Sequence, residues 1–138
     1  SNSNKNIKIN IKHANYKDPK INILGVESKL EQIVANLLEN AVSFSPNNSS
    51  IFVMLGIKEK NAQLIIEDEG PGFNEKNINQ IFNRFYSNRP EKFGEHSGLG
   101  LNIVKNIVEL HGGSIIASNN TNLSKKGARV EVLLPIYK

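Results

Sequence analysis

Cysteine is absent from the sequence, as is tryptophan. Without cysteine there is no disulfide and no thiolate ligand or nucleophile, which fits a reducing compartment. Long apolar runs are also lacking. None approaches the roughly 20 residues that a membrane-crossing helix needs, and no charged segment followed by an apolar one opens the chain as a secretory leader would. The expectation is a soluble, cytoplasmic-type piece. A dense basic stripe is missing too. The net charge is +4, but lysine and arginine are spread from Lys5 to Lys138. That is the distribution of a solvated basic surface, or of one that attracts a phosphate-bearing small ligand, and it argues against a nucleic-acid footprint. No internal repeat is visible.

What is present is an ordinary globular composition, 38% hydrophobic and 22% charged in 138 residues. A chain of this length forms one compact domain and buries about two thirds of its unfolded surface, so it folds without a staple. Asparagine is frequent from Asn2 to Asn122, which lowers the information in any single asparagine.

Residues 1–6 are polar and are expected to form a flexible tail, leaving 7–138 as the domain. Ile7, Ile9 and Ile11 alternate with polar residues, the period of a strand with one buried face. After the Asp18-Pro19 turn, Ile21, Ile23 and Leu24 suggest a second short strand ending at Gly25. Ser28 and Glu31 have capping-box spacing, and Leu30, Ile33, Val34, Leu37, Leu38, Ala41 and Val42 form a helical apolar stripe that stops before Pro46. Two strand-like runs, Ile51 to Ile57 and Ala62 to Ile66, join around Lys58 to Asn61 as a hairpin. Glycine and proline in the loop after Ile66 end the second strand. Glu75 to Arg84 reads as a short helix, Ser87 to Ser97 is irregular, and Leu99 to His111 is a second long helix stopped by Gly112-Gly113. Ser114 to Ser118 and Ala128 to Leu134 complete the sheet. The predicted fold is α/β, a two-layer sandwich with a mixed sheet of about five strands and about three helices on one face.

Three places carry chemistry. On the first helix Gln32, Asn36, Asn40 and Ser43 recur every three or four residues and make one polar ridge. Such a ridge commonly faces water, yet carboxamide oxygens also suit Mg²⁺, which takes hard oxygen ligands. In the loop Asp68-x-Gly70-x-Gly72, a carboxylate at a strand end can accept a hydrogen bond from an exocyclic amine while two glycines admit close backbone approach. An acidic turn is the plainer alternative. Adenine carries an amine where guanine carries a carbonyl, so such an Asp would select ATP over GTP. The run Ser97-Gly98-Leu99-Gly100-Leu101 opens a helix, where backbone N–H groups and the helix dipole attract phosphate. It is neither a P-loop nor a full dinucleotide fingerprint, and alone it could be only a turn.

Together the segments Asn36-Leu37-Leu38-Glu39-Asn40-Ala41, Asp68-Glu69-Gly70-Pro71-Gly72, Ile81-Phe82-Asn83-Arg84-Phe85-Tyr86 and Gly98-Leu99-Gly100-Leu101 resemble, in order and spacing, the N, G1, F and G2 boxes of histidine kinases. Those kinases fall in the ATPase superfamily that includes gyrase, Hsp90 and MutL, whose ATP-binding fold is the Bergerat type, and the resemblance runs from Ile7 to Pro135. The runs Ser43-Phe44-Ser45 and Phe85 to Pro90 are similar to those of ChvG-type kinases.

The resemblance implies an ATP-binding catalytic domain that transfers the γ-phosphate to a histidine on a separate dimerisation and phospho-acceptor domain, with a response regulator downstream, no nucleic-acid partner, and a parent protein in the bacterial inner membrane. Asn40 is implied as the Mg²⁺ ligand, Asn36 and Asn40 as the catalytic pair, Asp68 as the adenine contact and Phe44 as a wall of the base site. Gly70 and Gly72 shape the adenine side, and Ser97, Gly98, Leu99, Gly100 and Leu101 hold the phosphates. Arg84 and Tyr86 are candidate nucleotide contacts, though Phe82, Phe85 and Tyr86 are also plain core aromatics. Arg89, Lys92 and His96 belong to a segment, Ser87 to Ser97, expected to close as a lid. Two departures from the family pattern stand out: Ser43 where many members have Lys or Arg, and Val26 where Asp is common.

No histidine has the setting of a phospho-acceptor. A stand-alone ATPase of the gyrase type is disfavoured because Asn36, an amide, cannot act as a general base. An anti-sigma-type serine kinase is disfavoured by the F-box run, and a non-catalytic nucleotide-binding module by the retained Asn40, Asp68 and glycines.

Overall fold

The computed structural model describes residues 5–13, 23, 25–83, 100–120 and 126–136. Along the chain run β1 (Ile7–His13), α1 (Glu27–Phe44), β2 (Ser49–Lys58), β3 (Asn61–Glu67), a 3-10 turn (Glu75–Gln80), α2 (Gly100–Leu110), β4 (Ser114–Asn119) and β5 (Ala128–Pro135). The strands form one five-stranded mixed sheet in the order β1-β2-β3-β5-β4. β1 lies parallel to β2, and every other pair is antiparallel.

Alternation along the strands explains the two layers. The register aligns Val53, Ile66, Val130 and Ala117 in one row across the sheet, and Leu55, Leu64, Val132 and Ile115 in the next; on β1 the expected buried face does not form, since Ile9 and Ile11 are exposed and Ile7 alone packs against the core. From α1 and α2, Ile33, Leu37, Ala41, Val104, Ile107 and Val108 join the sheet residues in one core. Each fully buried aliphatic side chain contributes roughly 2 kcal/mol. Phe52 and Met54, one step out of phase, belong to the opposite face and are exposed. On that face Glu131 is buried, accepts a hydrogen bond from Gln63, and lies 3.8 Å from Lys58 Nζ.

The predicted α/β sandwich and its five-stranded mixed sheet are as expected, and the Lys58 to Asn61 hairpin forms with Glu59 at φ 58. Three further local expectations need correction. Ile23 lies outside any strand, and its neighbours Ile21 and Leu24 are outside the described residues. The Ser28/Glu31 capping box does not form: α1 begins at Glu27, its N-cap is Val26 in extended conformation, and no side chain caps it. Val26 N–H instead points to His111 Nε2 at 3.3 Å, so a partner distant in sequence sets where the helix starts.

The third correction concerns the short helix expected over Glu75 to Arg84. It is a 3-10 segment over Glu75–Gln80, which leaves two α-helices among the described residues. Asn74 Oδ1 accepts Lys76 N–H at 3.0 Å and opens the segment. The three-residue repeat of a 3-10 turn aligns Ile78 with the buried Ile81 on the core side.

Lys5 and Asn6, counted with the tail on composition, are held. Lys5 Nζ donates to the carbonyls of Val42 and Ser43 at 3.1 Å each. α1 has no basic residue in its own last turn, so this lysine supplies the positive charge its C-terminus favours. Asn48 N–H donates to Asn6 O at 2.8 Å.

Candidate functional site

At the end of β3 the chain passes into Asp68, which is only 3% exposed. Its backbone N–H donates to Ala128 O at 3.0 Å, and its Oδ1 accepts from Gly70 N–H at 2.9 Å and Ala128 N–H at 3.1 Å. The carboxylate therefore organises its own loop and ties it to the first residue of β5. A carboxylate offers about four lone-pair sites, and these amides take two of them. Glu69, the neighbouring acid, turns elsewhere: its Oε1 accepts Ser50 N–H on β2 at 2.8 Å.

The glycines are required by contact. A Cβ on Gly70 would collide with the carbonyl of Phe44, the last residue of α1, so the loop and the helix end meet there. Gly72 has φ 79, and a Cβ on it would stand 2.8 Å from Asn119 Oδ1. Phe44 itself is 4% exposed but lies outside the contiguous core. That placement, against the Asp68 loop, suits the wall of a ligand site.

The polar ridge of α1 is not simply a wet face. Asn36 is half-buried, and Asn40 is 6% exposed. The backbone carbonyl of Asn40 accepts Ser43 Oγ at 3.2 Å, yet its carboxamide makes no hydrogen bond to any described residue. A buried polar group left unpaired costs about 1–3 kcal/mol, so such a group calls for a water, an ion or a ligand as its partner. Ser43 is also buried, with its hydroxyl directed back along the helix.

The two helices place the start of α2 beside this ridge. His111, just past the end of α2, contacts Val26 at the start of α1, and its Nδ1 lies 2.8 Å from Ile107 O. The packed helices are therefore antiparallel. Counting eleven residues back along α2 from His111 reaches Gly100, and at about 1.5 Å per residue that is the level of Asn36 to Asn40 on α1. The N–H groups at the described start of α2, which have no partner within the helix, thus lie near the level of the Asn40 carboxamide. Asn102 Nδ2 donates to Phe82 O at 3.0 Å, linking the start of α2 to the segment after the 3-10 helix.

Of the expected site residues, Asn36, Asn40, Phe44, Asp68, Gly70, Gly72, Gly100 and Leu101 are thus described: Asn36 is at the middle of α1, about level with Gly100, and Phe44 at its C-terminal end meets the loop of Asp68, Gly70 and Gly72. Arg84, Tyr86, Ser97, Gly98 and Leu99 lie outside the described residues, as do Phe85, Arg89, Lys92 and His96. His13 sits on edge strand β1, and His111 at the end of α2 remote from Gly100. Sequence reasoning missed Asn119, whose Oδ1 accepts Phe73 N–H at 2.6 Å and whose Nδ2 donates to Phe73 O at 2.8 Å. It also missed Gly127, where a Cβ would collide with Asp68 O. Among so many asparagines Asn119 carries no signal, and Gly127 belongs to no recognised motif. Among the described residues no group of three His, Asp or Glu could hold a metal.

The histidine kinase-, DNA gyrase B-, and HSP90-like ATPase family matches residues 25–138. Sensor protein ChvG of Rhizobium meliloti is 42% identical over 118 residues, covering 82% of this chain and 20% of that protein. The solved structure of the mycobacterial sensor histidine kinase MprB superposes with a TM-score of 0.79 at 30% identity, over 94% of this chain and 82% of that one. Full-length ShkA in complex with AMPPNP superposes with a TM-score of 0.78 at 25% identity, over 99% of this chain and 27% of that one. The chain spans about a fifth of the length of the first curated relatives it matches.

Proposed function

This chain belongs to the histidine kinase-, DNA gyrase B- and HSP90-like ATPases as an ATP-binding catalytic domain of the sensor histidine kinase kind, and from that premise we propose how its residues hold ATP and where the phosphate goes. Adenine sits against Phe44, Gly70 and Gly72 with its exocyclic amine donating to Asp68. The phosphates lie between Asn36, Asn40 and the start of α2, where Gly100 and Leu101 offer backbone N–H groups. Arg84, Tyr86, Ser97, Gly98 and Leu99 complete the nucleotide contacts.

The observation that carries this reading is the carboxamide of Asn40, 6% exposed and without a hydrogen-bond partner among the described residues, on the helix whose end meets the Asp68 loop. A buried amide oxygen that meets no described partner suits Mg²⁺, a hard cation that takes oxygen ligands. Asn40 would hold the ion, and Asn36 would orient the phosphates beside it. The ion supplies neutralisation of phosphate charge. Everything else the chain contributes is positioning: the α2 amides fix the phosphates, and the Asp68 loop fixes the base.

The γ-phosphate passes to an imidazole nitrogen on a separate dimerisation and phospho-acceptor domain, and from there to a response regulator. Neither described histidine is placed to receive it, since His13 is on an edge strand and His111 is at the far end of α2. No helix among the described residues is long and apolar enough to cross a membrane; the parent protein's place in this reading is the bacterial inner membrane.

Labelling with radioactive γ-phosphate tests the assignment. The isolated chain is expected to bind ATP without labelling itself, and added acceptor domain is expected to gain an acid-labile label. Covalent linkage raises the effective concentration toward millimolar and speeds the transfer. Strong self-labelling, or an acid-stable product on Ser or Thr, overturns the reading in favour of a serine kinase.

A further inference from the structure

We propose that Asn119, at the end of β4, is a positioning residue that sets base selectivity by holding the loop Asp68 to Phe73 in its binding shape. The inference rests on the reading that Asp68 receives the adenine amine.

The loop is pinned at both ends. At Asp68 the pins are to Ala128 on β5, through the backbone N–H and through Oδ1. At Phe73 the pin is Asn119, whose carboxamide accepts the Phe73 N–H at 2.6 Å and donates to the Phe73 carbonyl at 2.8 Å. A carboxamide has the same donor and acceptor pair as a peptide group. Asn119 therefore extends the hydrogen bonding of an edge strand onto the backbone of a loop that has no strand partner of its own at that end.

The surroundings are shaped to this contact. Gly72 turns the chain at φ 79, and any side chain there would run into Asn119 Oδ1 at 2.8 Å. Asn120 N–H donates to Gly127 O at 2.8 Å, closing the end of the β4–β5 pair. Gly127 in turn lies so close to Asp68 O that a Cβ has no room. The loop between the pins contains two glycines. Released at one end it would sample many conformations, and fixing each residue again on binding costs about 1–2 kcal/mol. With both ends held, that ordering is complete before the nucleotide arrives, so the carboxylate stands at a defined point where an amine and a carbonyl are told apart.

Asn119 touches the loop backbone at Phe73, not the phosphate end, so its loss should act on the base alone. Calorimetry on the whole chain compares ATP, GTP and inorganic tripolyphosphate for the parent, Asn119→Ala, Asn119→Asp and Asp68→Asn, with thermal melting alongside. Asn119→Ala is expected to weaken ATP about tenfold and to collapse the ATP-to-GTP preference, with tripolyphosphate unchanged. Asn119→Asp keeps the acceptor for Phe73 N–H but sets a carboxylate against Phe73 O. It is expected to lose ATP affinity in the same selective way, and it carries the test if the alanine variant does not fold. Equal weakening of all three ligands, in step with lost stability, overturns the proposal, as does unchanged ATP affinity in a folded variant. If Asp68→Asn weakens ATP while the Asn119 variants do not, the positioning role falls and the base reading stands. If Asp68→Asn changes nothing, the base reading itself falls and takes the proposal with it.

Discussion

In the proposed reading the loop that begins at Asp68 and the polar ridge of α1 are two halves of one site, and they are built on opposite principles. Around Asp68 the polar groups are largely satisfied. The carboxylate accepts two backbone N–H groups, Glu69 is taken up by Ser50, and Asn119 pairs with both polar atoms of the Phe73 peptide. On the ridge, Asn40 is as deeply buried as many core residues, and its carboxamide meets no described partner. On that reading the base half is preorganised and its selectivity comes from a rigid shape, while the phosphate half keeps a carboxamide for an ion, so the affinity it contributes depends on what arrives with the nucleotide.

The largest effect that sharpens this contrast is expected from Asp68→Asn. An amide cannot serve as the charge-assisted acceptor, so ATP and ADP affinity should fall tenfold or more, about 1.4 kcal/mol, as read by calorimetry. Unchanged affinity in a folded variant would remove Asp68 from the site and leave the braced loop as mere architecture.

Next in size is Asn40→Ala. Because the carboxamide meets no partner among the described residues, its removal relieves a burial cost while leaving a small void, so folding stability should fall by no more than about 0.5 kcal/mol. The dependence of ATP binding on Mg²⁺, measured by titration at several metal concentrations, should nevertheless be largely abolished. If the variant instead lost stability heavily while keeping its metal dependence, the two halves would not differ in the way described.

The smallest effect is expected at Lys5. It lies on the ridge's own helix end, capping the Val42 and Ser43 carbonyls, and Lys5→Ala should cost about 0.5 kcal/mol in a thermal melt. A greater loss of nucleotide affinity than of stability would show that this contact reaches past the helix end into the phosphate half.

How much of this was legible in the sequence varied with the range of the interactions. α1 and α2 were readable because their apolar stripes follow the helical period and each ends in a local stop signal. The hairpin was readable because alternation and turn length are local too. The start of α1 was misread, since Ser28 and Glu31 satisfy the spacing of a capping box while the fold begins the helix at Glu27 and meets Val26 with His111. The short helix after the Asp68 loop became a 3-10 turn because its length is a single packing unit, with Ile78 and Ile81 three residues apart facing the core.

Composition, periodicity and four spaced motifs by themselves determined the fold class, the family and the choice of Asp68 and Asn40 as the residues to watch, because each of those signals is written within one segment. Which polar groups are satisfied was decided only by the tertiary structure. Asn40 and Asn119 are the same side chain in the same asparagine-rich sequence. One is buried without a described partner and the other is clasped to Phe73, because a carboxamide's role depends on which backbone the packing of sheet and helices brings within 3 Å of it, and that neighbour is 46 residues away for Asn119.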